Sequence, residues 1–376
     1  MELLKMVDLK GQYNKIKSEV DAAIQEVIDS TAFVKGAKVN EFETNLAKFM
    51  GVKHVIGVGN GTDALQIALM SLGLKRHDEV IVPDFTFIAS AEVIALLGLT
   101  PVFVDVDYDT FNLVPRSLKK SITPKTRAVI PVHLFGQAAE MEEINKIAKE
   151  YNLFVIEDNA QAIGADYIFK DGRQQKLGTI GDIGCTSFFP SKNLGCFGDG
   201  GAVFTNDDTL AEKIRIIANH GMKKRYYHDM LGMNSRLDTL QAAILDIKLK
   251  YLADYCAKRH DAAMYYNKEL GNIKNLSVPS TAPFSTHVFH QYTLKVKDGK
   301  RNALKEHLEA RNIPSMIYYP VPLHKQNVFK FSSRVGDVLY NSIKLTDEVL
   351  SLPMHTELTQ EQQDHIINAI REFFNK

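Results

Sequence analysis

The amino-acid sequence predicts an α/β protein, in which a large domain with a mostly parallel sheet flanked by helices precedes a smaller α+β domain. Short apolar segments alternate with helical patterns between about residues 55 and 205. Such alternation is typical of parallel strands joined by helices. The length of 376 residues and the hydrophobic content of 45% leave room for two cores. We therefore expect a large domain at 1–255, including an N-terminal arm, and a smaller domain at 256–376.

The individual elements are predicted from apolar, β-branched runs for strands and from helical periodicity for helices. The large-domain strands are expected at residues 55–56, 80–82, 102–104, 128–130, 154–156, 183–189 and 202–204. Its helices are expected at 64–72, 89–97, 141–151 and 209–218, with a long helical stretch from about 237 to 270 leading out of it. The smaller domain should contain a strand at 291–296 and helices at 303–311 and 360–374. Parallel sheets bind ligands at the carboxyl ends of their strands, so functional groups are expected there.

Composition excludes several classes of partner. The 45 basic and 45 acidic side chains cancel, so no general attraction to nucleic acid or to an anionic membrane is expected. The chain has no apolar run of membrane-spanning length and does not begin like a signal peptide. Cys185, Cys196 and Cys256 suit neither a disulfide framework nor a metal site. We expect a cytoplasmic enzyme without a bound metal.

A phosphate site is predicted where the segment GVGNGTDAL, residues 57–65, follows a strand and opens a helix. Free backbone N–H groups at that helix start, with the Thr62 hydroxyl, can bind a phosphate dianion. Asn60, Thr62 or Asp63 could instead serve only as a helix cap. A dinucleotide loop is a weaker interpretation, because glycine here recurs at every second position and not in the G-x-G-x-x-G spacing.

Two further segments place ionisable groups at strand ends. Glu157 and Asp158 end a buried strand, where a carboxylate can pair with a protonated pyridine nitrogen and make the ring an electron sink. Taken alone, Asp158 could equally cap the next turn. Lys192, in the segment SFFPSKNLG, precedes a glycine-rich loop, where it can lose its proton and form a Schiff base with a carbonyl. Taken alone, it could be a solvated lysine in a turn.

The segment NSRLDTLQAA, residues 234–243, places polar groups at the start of a helix, although it could be an ordinary cap with an incidental arginine. Ser187, five residues before Lys192, is a further candidate phosphate ligand. In chain order, these segments supply a phosphate site, a partner for a ring nitrogen and an amine for a Schiff base. That combination predicts pyridoxal 5′-phosphate (PLP) as the cofactor.

At these segments the sequence resembles the PLP-dependent nucleotide-sugar aminotransferases of the DegT/StrS type, which have the fold type I, aspartate aminotransferase-like architecture. The resemblance covers nearly the whole chain and is most specific at 59–64, 157–165, 187–201 and 234–243. It implies that Lys192 is the catalytic lysine that holds the cofactor aldehyde and that Asp158 is the catalytic partner of the ring nitrogen. The remaining cofactor contacts that it implies are Gln161 to the ring oxygen, Phe87 stacked on the ring, and Gly61, Thr62 and Ser187 at the phosphate.

The resemblance also implies a homodimer with a shared active site, because Asn234 would reach the cofactor phosphate of the neighbouring subunit. One branch of the family has histidine at the lysine position and performs dehydration, so Lys192 favours transamination. The order NSRLD at 234–238 is similar to members that aminate 3-keto sugars, such as UDP-2-acetamido-2-deoxy-3-oxo-glucuronate. Such members often have histidine where this chain has Tyr318. The segment YYPVPLHKQ, residues 318–326, is a candidate wall for the sugar nucleotide, although it could be an ordinary aromatic and proline-rich loop. The predicted substrate contacts are Arg236, Tyr318, Tyr319 and His324. The Arg236 guanidinium suits a carboxylate or a diphosphate.

The predicted reaction moves an amino group from L-glutamate to a UDP- or dTDP-linked keto sugar, in amino-sugar and surface polysaccharide biosynthesis. Lys192 would move a proton between the amino acid's α-carbon and the cofactor's C4′, while Asp158 would keep the ring charged. The alternatives are amination of a 4-keto sugar, a non-catalytic relative that senses PLP or a sugar nucleotide, and an NAD-dependent oxidoreductase that uses residues 57–61.

Overall fold

The computed structural model describes residues 4–375; residues 1–3 and 376, the ends of the two predicted domains, lie outside the described residues. The helices are α1 (Leu9–Ser30), α2 (Ala37–Met50), α3 (Gly61–Ser71), α4 (Ala89–Leu96), α5 (Pro115–Ser121), α6 (Met141–Tyr151), α7 (Asp208–Ile217), α8 (Thr239–Leu249), α9 (Leu252–Leu270), α10 (Arg301–Glu309), α11 (Tyr340–Glu348) and α12 (Gln360–Phe374). The strands are β1 (His54–Val58), β2 (Glu79–Pro83), β3 (Thr100–Val104), β4 (Thr126–Val129), β5 (Phe154–Asp158), β6 (Asp166–Ile168), β7 (Gln174–Lys176), β8 (Ile183–Ser187), β9 (Gly201–Thr205), β10 (Met222–Lys224), β11 (Tyr227–His228), β12 (Leu276–Ser277), β13 (Tyr292–Val296), β14 (Arg334–Val335) and β15 (Val349–Leu352). Short 3-10 helices lie at Leu134–Gly136, Leu323–Lys325 and Asn327–Phe329.

Within residues 4–375, the largest sheet has eight strands in the order β1-β9-β8-β5-β4-β2-β3-β14. The strands from β8 to β14 run parallel, and β9 is antiparallel to both of its neighbours, β1 and β8. Strand β2 shows why the sheet is buried on both faces. Val80 and Val82 pack with α3, α4 and α7, whereas Ile81 packs with α5 and α6 on the opposite face. The predicted mostly parallel sheet with flanking helices is confirmed.

A second core forms around the antiparallel sheet of β12, β13 and β15. Helices α9, α10 and α12 cover this sheet, and Tyr266, Leu304 and Ile370 are among the buried residues between them. The boundary predicted near residue 255 falls inside α9, which runs from Leu252 to Leu270. The division at 255 stays a prediction.

The predicted elements leave out several short strands and the helices α1, α2, α5 and α11, and two further differences bear on how the chain is organised. The long helical stretch is two helices, because α8 ends at Leu249 and packs on α1 and α2, while most of α9 packs on the second sheet. Strand β14 was not predicted, since two residues carry no periodicity. It pairs with β3, where the Arg334 guanidinium contacts both carboxylate oxygens of Glu79 at 3.0 Å. A late segment of the chain thus completes a sheet made by early strands.

Two features of the described part of the chain concern membranes and metal ions. None of its helices combines the length and the apolar character needed to cross a membrane. In the same residues, no group of three or more His, Cys, Asp and Glu side chains is arranged to hold a metal ion.

Candidate active site

A cavity of about 630 Å³ opens at the carboxyl ends of the parallel strands, where ligands bind in sheets of this kind. The start of α3, the ends of β5 and β8 and a loop before residue 320 border it. Most of the residues predicted for the site line this cavity: Gly61, Thr62, Phe87, Asp158, Gln161, Ser187, Lys192, Tyr318 and Tyr319. The chain therefore brings together groups that are up to 258 positions apart in sequence, from Gly61 to Tyr319.

The amino terminus of α3 forms one end of the cavity. The Asn60 side chain caps the helix by accepting the N–H of Asp63 at 2.8 Å. Gly61 and Thr62, whose N–H groups belong to the first turn and have no partner within the helix, line the cavity. A Cβ at Gly61 would stand 2.6 Å from the Cβ of Ser187. Only glycine lets the helix start approach Ser187 this closely. N–H groups, two hydroxyls and the positive end of a helix dipole make a site suited to a phosphate.

Asp158 ends β5 and is 5% exposed. Its Oδ2 accepts the hydroxyl of Ser90 at 2.7 Å, and its Oδ1 accepts the N–H of Ala160 at 3.1 Å. The carboxylate is therefore held on both oxygens while it borders the cavity. This arrangement suits a partner for a protonated ring nitrogen.

The neighbouring carboxylate, Glu157, points to the other face of the sheet, as alternate residues of a strand must. It is fully buried and lies 2.8 Å from Nε2 of His133. It also accepts N–H groups at 2.6 to 2.8 Å from the turn before β8, namely those of Gly178, Ile180 and Gly181. Of the two adjacent carboxylates, Asp158 therefore borders the cavity, whereas Glu157 supports the fold.

Lys192 follows β8 and borders the same cavity. Burial of the side chain lowers the pKa of its amine to about 8, and the nearby negative charge of Asp158 partly opposes this shift. Near neutral pH a substantial fraction of such an amine is unprotonated. Lys192 can therefore attack a carbonyl or transfer a proton, which an ordinary surface lysine does poorly.

Aromatic and amide groups form the wall opposite Lys192. The Gln161 side chain accepts the N–H of Phe135 at 2.8 Å and donates from Nε2 to the hydroxyl of Tyr319 at 3.1 Å. Burial raises the pKa of Tyr319, which keeps its hydroxyl protonated. The Phe87 ring lies 6.2 Å from the Tyr319 ring and is 52% exposed, so one face remains open to a planar ligand.

Three residues predicted for the site lie outside the cavity of their own chain. Asn234 is exposed, and Arg236 borders a separate depression of about 330 Å³ beside Lys35. The ring of His324 faces Asp84, with Nδ1 2.7 Å from Oδ2. The role predicted for Asn234, contact with the cofactor phosphate of a neighbouring subunit, stays a prediction.

Thr86, Ser90, His290 and Gln291 belong to the site or support it but were not predicted. Among the described residues, the Thr86 hydroxyl and Nδ1 of His290 are buried without a hydrogen-bond partner. Burial and the cations Lys192 and Arg259 hold the pKa of His290 far below its usual range. Thr86 lies one residue before the predicted Phe87, which was a usable signal. His290, which precedes strand β13, had no comparable signal in the sequence.

The residues present fit PLP. The glycine-lined helix start matches its phosphate, the Asp158 carboxylate its ring nitrogen, and the Lys192 amine its aldehyde. Thr86 and His290 line the same cavity, and each keeps one buried polar atom without a hydrogen-bond partner beside it.

Comparison with known proteins agrees with this arrangement. The model of the DegT/DnrJ/EryC1/StrS aminotransferase family matches residues 14–371. The pleiotropic regulatory protein of Geobacillus stearothermophilus is 46% identical over 371 residues, which are 98% of each chain. The UDP-2-acetamido-2-deoxy-3-oxo-D-glucuronate aminotransferase of Pseudomonas aeruginosa is 46% identical over 359 residues, 95% of this chain and 96% of the relative. The crystal structure of S. venezuelae DesV in complex with ketimine intermediate has a TM-score of 0.95 and 39% identity, and the match covers 100% of both chains.

These similarities extend over nearly the full length of the chain, so they concern the whole enzyme and not one domain. They confirm the predicted fold type, the PLP cofactor and transamination. The chain belongs to the DegT/DnrJ/EryC1/StrS aminotransferase family and is a PLP-dependent aminotransferase.

Proposed function

We propose that the chain transfers an amino group from L-glutamate to the keto group of a UDP- or dTDP-linked sugar, with amination at C3. The observation that carries the proposal is the placement of Lys192, Asp158 and the start of α3 around one cavity. The choice of acceptor is supported by the relative named for a 3-oxo sugar, which is 46% identical. It is supported also by the order NSRLD at 234–238.

Bound PLP supplies an aldehyde that takes up the amino group and a ring that delocalises negative charge. The chain positions that chemistry. Thr62 and Ser187, with the N–H groups at the start of α3, hold the phosphate. Asp158 holds a proton at the ring nitrogen, because a carboxylate beside that nitrogen favours its charged form. Phe87 would stack on the ring, and Gln161 would donate to the ring oxygen from Nε2.

Lys192 performs the proton transfers. As a neutral amine it removes the proton from the α-carbon of glutamate, and as an ammonium it delivers a proton to the carbon of the sugar that receives nitrogen. A pKa of about 8 lets the same group serve both directions near neutral pH. Tyr318 and Tyr319 close one side of the cavity and exclude water from these steps.

We propose further that the active enzyme is a homodimer. Asn234 of one subunit reaches the phosphate in the other, and Arg236 beside it binds the carboxylate or diphosphate of the sugar nucleotide. Supporting this, both residues lie outside the cavity of their own chain. Mixing inactive Lys192→Ala and Asn234→Ala subunits should restore about a quarter of wild-type activity if half of the dimers carry one intact site. No recovery after verified subunit exchange would contradict a shared site.

The acceptor is tested with enzyme loaded with pyridoxamine phosphate. A panel of 3-keto and 4-keto sugars, each linked to UDP or dTDP, is added without an amino donor. Return of the absorbance of the aldehyde form reports amino transfer to the sugar. We expect turnover with 3-keto sugars; turnover with 4-keto sugars alone would overturn the assignment to C3.

A second candidate function, in addition to catalysis, is sensing of PLP or of a sugar nucleotide. The 46% identity to a protein named as a pleiotropic regulatory protein favours it. The two functions are distinguished in cells that carry Lys192→Ala. The amino-sugar product should be lost in either case. A regulatory response that persists without the product would show sensing, whereas a response lost together with the product would show that catalysis alone accounts for it.

A further inference from the structure

A buried pair outside the cavity joins two segments that border it. Asp84 follows β2 and is fully buried. Its Oδ2 lies 2.7 Å from Nδ1 of His324, and its Oδ1 accepts the backbone N–H of His324 at 2.7 Å. Its carbonyl oxygen accepts the N–H of Leu323 at 2.9 Å. One residue at the end of a central strand therefore fixes two successive residues of a distant loop.

The same stretch of chain, 84–87, also contacts Tyr319. The Tyr319 ring lies 6.1 Å from the Phe85 ring at a steep angle and 6.2 Å from the Phe87 ring. Segment 319–324 is thus held at both ends by residues 84–87. Residues 318–322 belong to no helix or strand, so the backbone hydrogen bonds of regular structure do not hold this part of the loop.

Water competes little for the pair. The side chain of His324 is 16% exposed and that of Asp84 is 0% exposed. A buried carboxylate that loses its partner is strongly destabilised, so the attachment of His324 to Asp84 is hard to release. Leu323 strengthens it by packing into the core beneath the sheet.

We infer that the Asp84–His324 pair is a positioning device that holds Tyr318 and Tyr319 as a wall of the cavity and so shapes the space for the acceptor sugar. His324 itself is directed away from the cavity and acts through the loop. The identity of the acceptor rests on the proposed function; the positioning does not. Glutamate is small and reacts beside Lys192, so the larger sugar nucleotide should depend more on this wall.

The first test measures backbone exchange in the protein without substrate. Hydrogen–deuterium exchange is followed by mass spectrometry over residues 318–326 in wild type, His324→Ala, His324→Asn and Asn327→Ala. We expect His324→Ala to speed exchange at residues 323 and 324 by about tenfold or more. His324→Asn should restore slow exchange, because its amide can donate to Asp84 as Nδ1 does. Asn327 is exposed in the neighbouring 3-10 helix and serves as the control.

The second test separates the two half-reactions. With His324→Ala we expect the KM for the keto sugar to rise about tenfold, with the glutamate half-reaction changed less than about threefold. His324→Asn should recover the KM. Unchanged exchange in His324→Ala would refute the inference. So would equal losses in both half-reactions without rescue by asparagine, since the pair would then only stabilise the fold.

Two outcomes need separate treatment. If His324→Ala does not fold, Asp84→Leu replaces it, because leucine keeps the approximate size of the side chain, removes both side-chain bonds to His324 and leaves no buried charge unpaired. Faster exchange over 318–326 supports the inference in that variant, and wild-type exchange refutes it. If the wild type aminates no keto sugar, the proposed acceptor is wrong, while the exchange experiment still decides the positioning role.

Discussion

The hydroxyl of Ser90 donates a 2.7 Å hydrogen bond to Oδ2 of Asp158. Ser90 is buried in the first turn of α4, and Asp158 ends β5, 68 positions later. Because Ala160 binds the other oxygen, the carboxylate keeps one orientation toward the cavity. A group fixed in this way stabilises a charged ring nitrogen without having to reorganise during the reaction.

Replacing Ser90 by alanine should therefore slow amino transfer from glutamate by about tenfold, the cost of a hydrogen bond to a charged group. Cofactor binding should change little, since the phosphate site is untouched. The rate is measured by stopped-flow absorbance in the glutamate half-reaction. Ser71→Ala is the matched control, because Ser71 is also buried but bonds the carbonyl of Ala68 in α3. An unaltered rate in Ser90→Ala would mean that Asp158 needs no such support.

The lowered pKa of Lys192 predicts how covalent capture of PLP depends on pH. The neutral amine attacks the aldehyde, so the rate should rise as pH increases through about 8 and level off above it. Protein freed of cofactor is mixed with PLP at different pH values and trapped with borohydride, and the modified peptide is quantified by mass spectrometry. Solvent-exposed lysines in the same digest serve as the internal control, with a midpoint near 10.4. A Lys192 midpoint equal to theirs would contradict the effect of burial.

Gly61→Ala should weaken cofactor binding by about tenfold or more, because the added methyl group meets Ser187 and separates the helix start from β8. Affinity is measured by titrating pyridoxamine phosphate into the apoprotein. Inorganic phosphate should compete with it in wild type and compete less in the variant. Wild-type affinity in a folded Gly61→Ala protein would place the phosphate elsewhere.

The two carboxylates that end β5 should respond differently to alanine. Glu157→Ala leaves three N–H groups, one buried and two partly buried, without an acceptor and should lower the free energy of unfolding by about 3 kcal/mol. Asp158→Ala should cost less than about 1 kcal/mol, because water from the cavity can replace the carboxylate, yet it should abolish amino transfer. Urea unfolding of the two apoproteins, followed by circular dichroism, checks the difference. Equal losses of stability would show that Asp158 also supports the fold.

Much of the candidate site could be predicted because its residues lie in short segments that follow strands. Lys192, Asp158 and the start of α3 have such local signals, and parallel strands bring their carboxyl ends to one edge of the sheet. Contacts between distant segments had no local signal. The bond from Ser90 to Asp158 and the position of His290 depend on how strands order themselves across the sheet.

His324 illustrates the limit of prediction from a sequence segment. A histidine close to two tyrosines of the site was expected to contact substrate, whereas its ring contacts Asp84. Which of two neighbours a side chain faces depends on the path of the loop, and the loop takes its path from contacts with residues 84–87. The division into domains at residue 255 and the role of each site residue remain predictions.

Strand β14 has a consequence for how the chain is made. Until residues 334 and 335 leave the ribosome, β3 is an open sheet edge and Glu79 lacks the guanidinium that it binds in the finished protein. Pairing on this side of β3 therefore waits for a segment that is synthesised well after the other strands of the sheet, and until then the backbone groups of β3 can pair with another chain.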